Sequence, residues 1–358
     1  MDKEDKIYGV DMGTMFFQVA ELDEDENSFK VKTTRNAFVE LDASEDVDEI
    51  LERNDWQYIQ DGNKYYIIGE DSLRVANMFP GKVELRRPLQ DGVLNKNEAK
   101  KMLVLAKLLE TSIGESPSKN SVVCACVSSE SVDGSVDNAF HKARLMGMFK
   151  NLKWNVKIIE EGLAVILAER PVMQEPDGSE SPYSGFGLSC GAGRTNCVLA
   201  YKGLSIVGMS VARGGDYIDK KVSDATGEPI GQVTRKKELE LDFNNIDYDD
   251  DIIFALDAYY SEMIKFVFSK FSIKFNEVKS QFEAPLEIVV AGGTSVPQGF
   301  CNKISEVIRG LDLPFEIKGV RHAKNPRESV VRGCLTQAIA TQRKMLKGDP
   351  DSIESALG

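Results

Sequence analysis

The chain has 358 residues, enough for two ordinary domains and for a substantial core without disulfides. Hydrophobic residues make up 42% and charged residues 28%, which excludes global disorder. Lys and Arg number 44 against 57 Asp and Glu, a net charge of −13 that repels phosphate backbones and anionic lipid, so nucleic-acid binding is not expected.

Only His141 and His322 are present, too few for a multi-histidine metal centre. The six cysteines form no C-x-x-C pair and several lie inside apolar runs, which predicts reduced, buried thiols and a cytoplasmic location. Residues 1–6 are acidic and polar, without the apolar core of a signal peptide or the basic apolar face of a membrane-surface helix. No run of about 18 apolar residues is present, so neither a membrane span nor membrane contact is expected.

Residues 7–22 read as strand, glycine turn, strand. Two apolar runs around Asp61-Gly62-Asn63 predict a hairpin. Residues 97–113 carry apolar side chains at helical spacing, residues 121–127 are a buried-strand run, 136–149 a helix, 156–159 a strand and 161–168 an Ala/Leu-rich helix. Residues 175–184 read as a surface loop. Three strand-like runs follow at 185–190, 195–200 and 205–212, separated by Gly191-Ala192-Gly193 and by Lys202-Gly203. Residues 220–251 are polar and charge-rich, 255–271 an amphipathic helix, 286–291 a buried strand, and 330–345 a closing helix. Strand–glycine turn–strand occurs twice, which points to two related halves.

Three turns carry candidate chemistry. Asp11-Met12-Gly13-Thr14 sets a carboxylate beside a turn whose amides can approach an anion, and Asp11 can hold magnesium through water. Alone it reads more often as a plain hairpin turn. Ser189-Cys190-Gly191-Ala192-Gly193-Arg194 is neither a P-loop nor a dinucleotide fingerprint, since a strand follows it. Ala291-Gly292-Gly293-Thr294-Ser295 follows a buried strand and precedes a helix, where a flat ring or a phosphate can approach the backbone. A plain strand-to-helix turn has the same pattern.

Their order is more specific than any one of them. With Gln90-Asp91-Gly92 and Gly214-Gly215-Asp216 between them, the chain resembles the actin-like ATPase superfamily, and most closely bacterial actins of the MreB and MamK kind. Residues 69–93 look like the first inter-domain connection of those proteins. Ile158-Ile159-Glu160-Glu161-Gly162-Leu163-Ala164 is similar to their helix start after an Ile-Glu-Glu stretch, and Glu328-Ser329-Val330-Val331-Arg332-Gly333 to their second connection.

The resemblance implies a two-domain α/β fold of duplicated, ribonuclease-H-like halves with a nucleotide cleft between them. Domain I would span 1–155, with a small outer subdomain near 30–72 and the C-terminal helix 326–345 completing it. Domain II would span 156–325 with a shortened outer subdomain near 219–251, and residues 346–358 would form a polar tail. ATP or ADP with magnesium is the implied cofactor, and self-association into filaments, with unknown cargo or adaptors, the implied assembly. By position, Asp11, Gly13, Thr14 and Met15 would meet phosphate and metal, and Ser189, Gly191, Ala192 and Gly193 would cradle the β- and γ-phosphates. Gly214, Gly215, Asp216 and Lys237 would line the nucleotide, and Gly292, Gly293 and Thr294 would face the adenosine. Glu161 would orient the attacking water, since phosphoryl transfer needs chiefly positioning and charge stabilisation.

The chain departs from that pattern at the γ-phosphate. The family's second turn begins with Asp; here the position is Ser189, and a Thr position is Arg194. Met15-Phe16-Phe17 stands where small polar residues are usual. Either hydrolysis is slow or absent, or Arg194 supplies compensating charge. A filament-forming ATPase and a non-hydrolysing actin-like scaffold or adaptor are therefore both open, while nothing resembles the acceptor site of a small-molecule kinase.

Overall fold

Two five-stranded mixed sheets organise the molecule, and each opens with a glycine-turned hairpin. The computed structural model describes residues 4–23, 28–94, 99–134, 138–169, 172–174, 180–278 and 285–347. In the first sheet, β1 (Ile7–Met12), β2 (Phe16–Leu22) and β3 (Phe29–Arg35) form an antiparallel meander. An outer three-stranded sheet follows, built of β4 (Phe38–Asp42), β5 (Tyr58–Asp61) and β6 (Lys64–Ile68) with helices α1 (Glu45–Asn54) and α2 (Glu70–Met78). The chain returns through a two-stranded hairpin, β7 (Leu89–Gln90) and β8 (Val93–Leu94), into α3 (Ala99–Ile113). Then β9 (Val122–Val127), α4 (Asn138–Asn151), β10 (Asn155–Glu160) and α5 (Glu161–Glu169) complete the first half, and both strands join β1 in parallel order.

The second half repeats this plan after a short ribbon of β11 (Val172–Gln174) and β12 (Glu180–Pro182). Its meander is β13 (Gly185–Cys190), β14 (Thr195–Tyr201) and β15 (Leu204–Val211). Helices α6 (Gly215–Thr226), α7 (Ile230–Leu239) and α8 (Asp251–Phe275) lead to β16 (Leu286–Ala291), α9 (Phe300–Arg309), β17 (Ile317–His322) and α10 (Ser329–Leu346). The strand orders are β3-β2-β1-β9-β10 and β15-β14-β13-β16-β17, the same topology twice. The halves are duplicates, as the recurring strand–turn–strand pattern anticipates.

The elements bear on three sequence expectations. β10 stays in the first sheet through Glu160, so a boundary at residue 155 falls within that sheet. β3 likewise belongs to the five-stranded sheet and not to an outer unit starting near residue 30. Residues 220–251, expected as a polar stretch and a shortened outer subdomain, include α7 and the second half of α6, which bury Val222 and Val233 against the second core. Of the loop expected at 175–184, residues 175–179 lie outside the described residues and 180–182 form β12; the tail beyond 347 also lies outside them.

A core layer joins the halves. α5 and α10 each follow the last strand of their half, and they meet where neither carries bulk. A Cβ on Gly333 of α10 would overlap the backbone of Ala164 in α5. One on Gly9 of β1 would strike the α10 backbone at Val331 and Leu335, and one on Gly187 of β13 would overlap the carbonyl of Gly162 in α5. First sheet, α10, α5 and second sheet therefore stack through three close contacts that involve four glycines. Cys124, Cys126, Val165, Ala200, Val289 and Cys334 fill the space around them.

Gly333→Val forces this stack apart, because the obstructing atoms are backbone with no rotamer to yield. It should lower unfolding free energy by about 2–3 kcal/mol or more, the cost typical of core overpacking. Urea denaturation measures it; a midpoint equal to that of the unsubstituted chain would show that the helices have room to separate.

Candidate functional site

The two hairpin turns face each other across a cavity of about 430 Å³. Asp11, Gly13, Thr14 and Met15 line it from the first half; Ser189, Gly191, Ala192, Gly193 and Arg194 line it from the second. Gly215, Asp216, Lys237, Gly292, Gly293, Thr294 and Glu161 complete its wall, whereas Gly214 does not line it and caps α6 behind the turn. Among the described residues, the backbone N–H groups of Gly13, Thr14, Met15, Ala192 and Gly193 meet no acceptor. Unpaired amides at a cavity wall are costly unless something fills them, and they suit a phosphate.

Local packing fixes both turns. The side-chain amide of Asn36, fully buried, donates to the Gly13 carbonyl at 2.8 Å, and its backbone N–H donates to Met15 O at 2.9 Å. On the opposite side, Gly191 N donates to Arg194 O at 2.9 Å. The Gly191 and Ala192 carbonyls receive the Gly215 and Asp216 amides at 3.0 and 2.8 Å, which anchors α6 to the turn. Thr294 Oγ1 donates to Gly191 O at 2.8 Å and ties in the third turn. There Gly292 has φ +96°, and a Cβ would strike the Cys190 backbone, so only glycine fits.

Two carboxylates line the cavity floor, and the Arg194 charge partly offsets one of them, Glu161. Burial pushes the Asp11 carboxyl up to about 6, opposed by the Cys126 thiol at 3.5 Å from Oδ1. Burial and the nearby Asp11 charge push Glu161 up to about 7. Three side chains hold Glu161: Ser128 and Ser189 each donate at 3.3 Å, and Asn196 Nδ2 donates at 2.8 Å. Asn196 is locked in turn, its Oδ1 accepting from Ser129 N at 3.1 Å. Among the described residues no group of three His, Cys, Asp or Glu is placed to hold a metal. A well-hydrated magnesium ion needs no such cage, and two buried carboxylates with raised acids fit one.

Several expected roles change in this setting. The Arg194 guanidinium is buried and engaged: it donates to Ser210 Oγ at 3.0 and 3.2 Å and to Asp91 O at 3.2 Å, with Asp133 at 3.8 Å. It clamps the β7–β8 hairpin to the second turn, so the compensating role expected of it would require breaking that clamp. Lys237 pairs with Asp219 at 2.7 Å and donates to Gly215 O at 3.2 Å, which holds the wall. Asp216 pairs with Arg87 at 2.7 Å, linking α6 to the returning strand of the first half. Sequence reasoning assigned no role to Asn36, Ser128 or Asn196, because a buried Asn or Ser carries no signature until its partner is known. Ser128 did have one clue, its place just past the end of a wholly apolar strand.

Duplicated halves with opposed glycine turns across a shared cavity define the two-domain actin-like fold. A family model described as Volactin matches residues 7–338, and the chain belongs to the volactin family. Among solved structures, it is similar to a MamK double helical filament, with 18% identity, a TM-score of 0.68, and 94% of this chain and 99% of that one covered. MreB5 of Spiroplasma citri bound to AMPPNP follows with 13% identity, a TM-score of 0.64 and coverages of 96% and 99%. The ethanolamine utilization protein EutJ from Carboxydothermus hydrogenoformans is 12% identical, with a TM-score of 0.51 and coverages of 93% and 90%. No curated protein sequence matches the chain. Among the described residues, no helix is long and apolar enough to cross a membrane.

The raised Glu161 carboxyl gives a signed pH dependence. The folded state is favoured while that group is protonated, and the contribution fades as pH rises through about 7. Glu161→Gln should therefore melt higher than the unsubstituted chain at pH 8 without nucleotide, with the gap closing by about pH 5. Thermal melts across that range check it; an equal gap at both ends would place Glu161 in water.

Proposed function

We propose that the chain is a nucleotide-dependent filament-forming protein that binds ATP with magnesium in the cavity between its halves. The observation that carries this is the set of acceptorless amides on two opposed turns, with Asp11 and Glu161 between them. The structural likenesses lend support: MreB5 of S. citri is described bound to AMPPNP and to ADP, and MamK as a double helical filament. In this reading the Gly13–Met15 and Gly191–Gly193 amides hold the phosphates, and the Gly292–Thr294 turn borders the nucleoside. Bound magnesium would neutralise charge on the terminal phosphates, with Asp11 holding it through water. Glu161, fixed by Ser128, Ser189 and Asn196, is placed to orient a water molecule, so the chain is an ATPase.

Hydrolysis is slow in this proposal. Ser189 offers a hydroxyl, already donating to Glu161, where relatives of the MreB and MamK kind carry a carboxylate. Arg194 is committed to Ser210 and the Asp91 carbonyl and brings little charge to a terminal phosphate. That commitment also keeps a non-hydrolysing scaffold as a second reading.

Calorimetry with magnesium and ATP tests the binding step. The unsubstituted chain should bind, and Asp11→Ala should weaken the interaction at least tenfold, the loss expected on removing a metal-orienting group. No heat at millimolar ATP for the unsubstituted chain would sink the assignment.

Single-turnover phosphate release tests the chemistry. Ser189→Asp should raise the rate, by restoring an acceptor for metal-bound water, and Glu161→Ala should abolish what activity remains. A rate for Ser189→Asp at or below the unsubstituted value, with affinity intact, would mean that Ser189 is not what limits hydrolysis.

A further inference from the structure

The turn joining β14 to β15 is a rigid apolar knob. Lys202 and Gly203 have φ of +48° and +77°, the paired positive angles of a two-residue type I′ hairpin turn. Tyr201 and Leu204 are direct cross-strand partners and so project side by side, 42% and 69% exposed. Lys202 N donates to Ser184 Oγ at 3.0 Å and Gly203 N to Tyr183 O at 2.9 Å, which pins the base of the knob. The Lys202 ammonium lies over the Tyr201 ring at 5.6 Å, so the tip is apolar with one positive charge. An exposed leucine held this firmly loses little freedom on binding.

A matching hole lies in the outer sheet of the first half. An apolar cavity of about 240 Å³ is walled by Leu41, Val47, Ile50, Leu51, Trp56 and Phe79. Lys82 lines one side of it, and on the other side α1, which supplies Val47, Ile50 and Leu51, carries five carboxylates against one arginine. Phe79 turns inward here, whereas its neighbour Met78 stays 56% exposed.

Knob and hole sit at opposite ends of the molecule. β14 starts at the nucleotide cavity with Thr195 and reaches the knob seven residues later, roughly 20 Å away at about 3.3 Å per residue. β3 instead ends on the cavity side, where Phe16 pairs with Arg35 and Asn36 bonds Met15, and β4 starts the outer sheet immediately beyond. A subunit therefore cannot seat its knob in its own hole.

We propose that the Tyr201–Leu204 knob of one copy docks into the α1-rimmed hole of a second copy, with Leu204 in the apolar cavity and Lys202 against the α1 carboxylates. Such a contact is heterologous and leaves a free knob and a free hole at the two ends, so it propagates as an open polymer. It rests on the self-association proposed above and supplies a residue-level contact for it.

Two variants and their mixture test it with magnesium and ATP, by pelleting and sedimentation velocity. Leu204→Asp removes the knob, and Ile50→Lys blocks the hole while its long stem carries the charge to solvent. Each should raise the concentration needed for assembly by about tenfold or more, with ATP affinity by calorimetry unchanged. If Ile50→Lys fails to bind nucleotide, the surface variant Asp46→Lys takes its place. A 1:1 mixture of the two variants keeps one working contact, the knob of one in the hole of the other, and should stop at dimers. If the unsubstituted chain polymerises and Leu204→Asp does so at the same concentration, or the mixture stays monomeric, this contact is wrong while self-association stands. An unsubstituted chain that stays monomeric at high concentration overturns both.

Discussion

Everything in this molecule hangs on backbone meeting backbone between α5 and α10. Two helices of opposite halves approach until a methyl group has no place at Gly333, and each also lies directly on a strand of a sheet, at Gly9 or Gly187. Such contact maximises dispersion and excludes water without large side chains. It also limits how the halves can move. A layer this thin can act as a pivot but cannot compress, so relative motion of the sheets would take the form of rotation about the crossing. The cavity lies to one side of that layer, where Glu161 begins α5 and Val330 of α10 reaches the wall. A change at the cavity floor is thus directly connected to the crossing.

Much of this was legible in the sequence, and for a physical reason. Buried parallel strands such as β9 and β16 are unbroken apolar runs, and glycine turns leave punctuation that local sterics enforce, so both halves and all three turns could be placed. What escaped were elements whose stability comes from elsewhere. β3 is an edge strand with exposed lysines, and β17 has no fully buried residue and mixes Lys, Gly, Arg and His. α6 and α7 present only a few core positions each inside a charged stretch. The site showed the same division. Residues with motif value were all in view, whereas Asn196 and Asn36 act through partners far away in sequence. Arg194 shows the same limit: a charged residue next to a glycine turn reads as a ligand, and the serine and carbonyl that it engages are seen only in the structure.

The electrostatics of the cavity explain why its two sides differ. Arg194 and Lys237, the positive charges nearest the second turn, are both consumed in holding structure. Glu161 is held by hydroxyl and amide donors with the Arg194 charge nearby, and Asp11 by the Cys126 thiol. The floor is thus under-neutralised by construction. Burying like charges this way is unfavourable, and a protein retains such an arrangement where an added cation relieves it.

The cysteines that fill the joining layer give the molecule a built-in reporter. Cys124, Cys126, Cys190, Cys197 and Cys334 are buried, and only Cys301 is partly open. A hydrogen bond with Cys334, and then burial, raises the Cys126 thiol well above its ordinary range; burial does the same for Cys197 and Cys334 and takes Cys190 to about 12, so they stay protonated and poorly nucleophilic while the layer is closed. Cys124, Cys126 and Cys334 sit in the layer itself, between the first sheet and α10. Alkylation at those three positions would record each parting of the halves, against a background set by Cys301, and would time the opening of the molecule without any label being introduced.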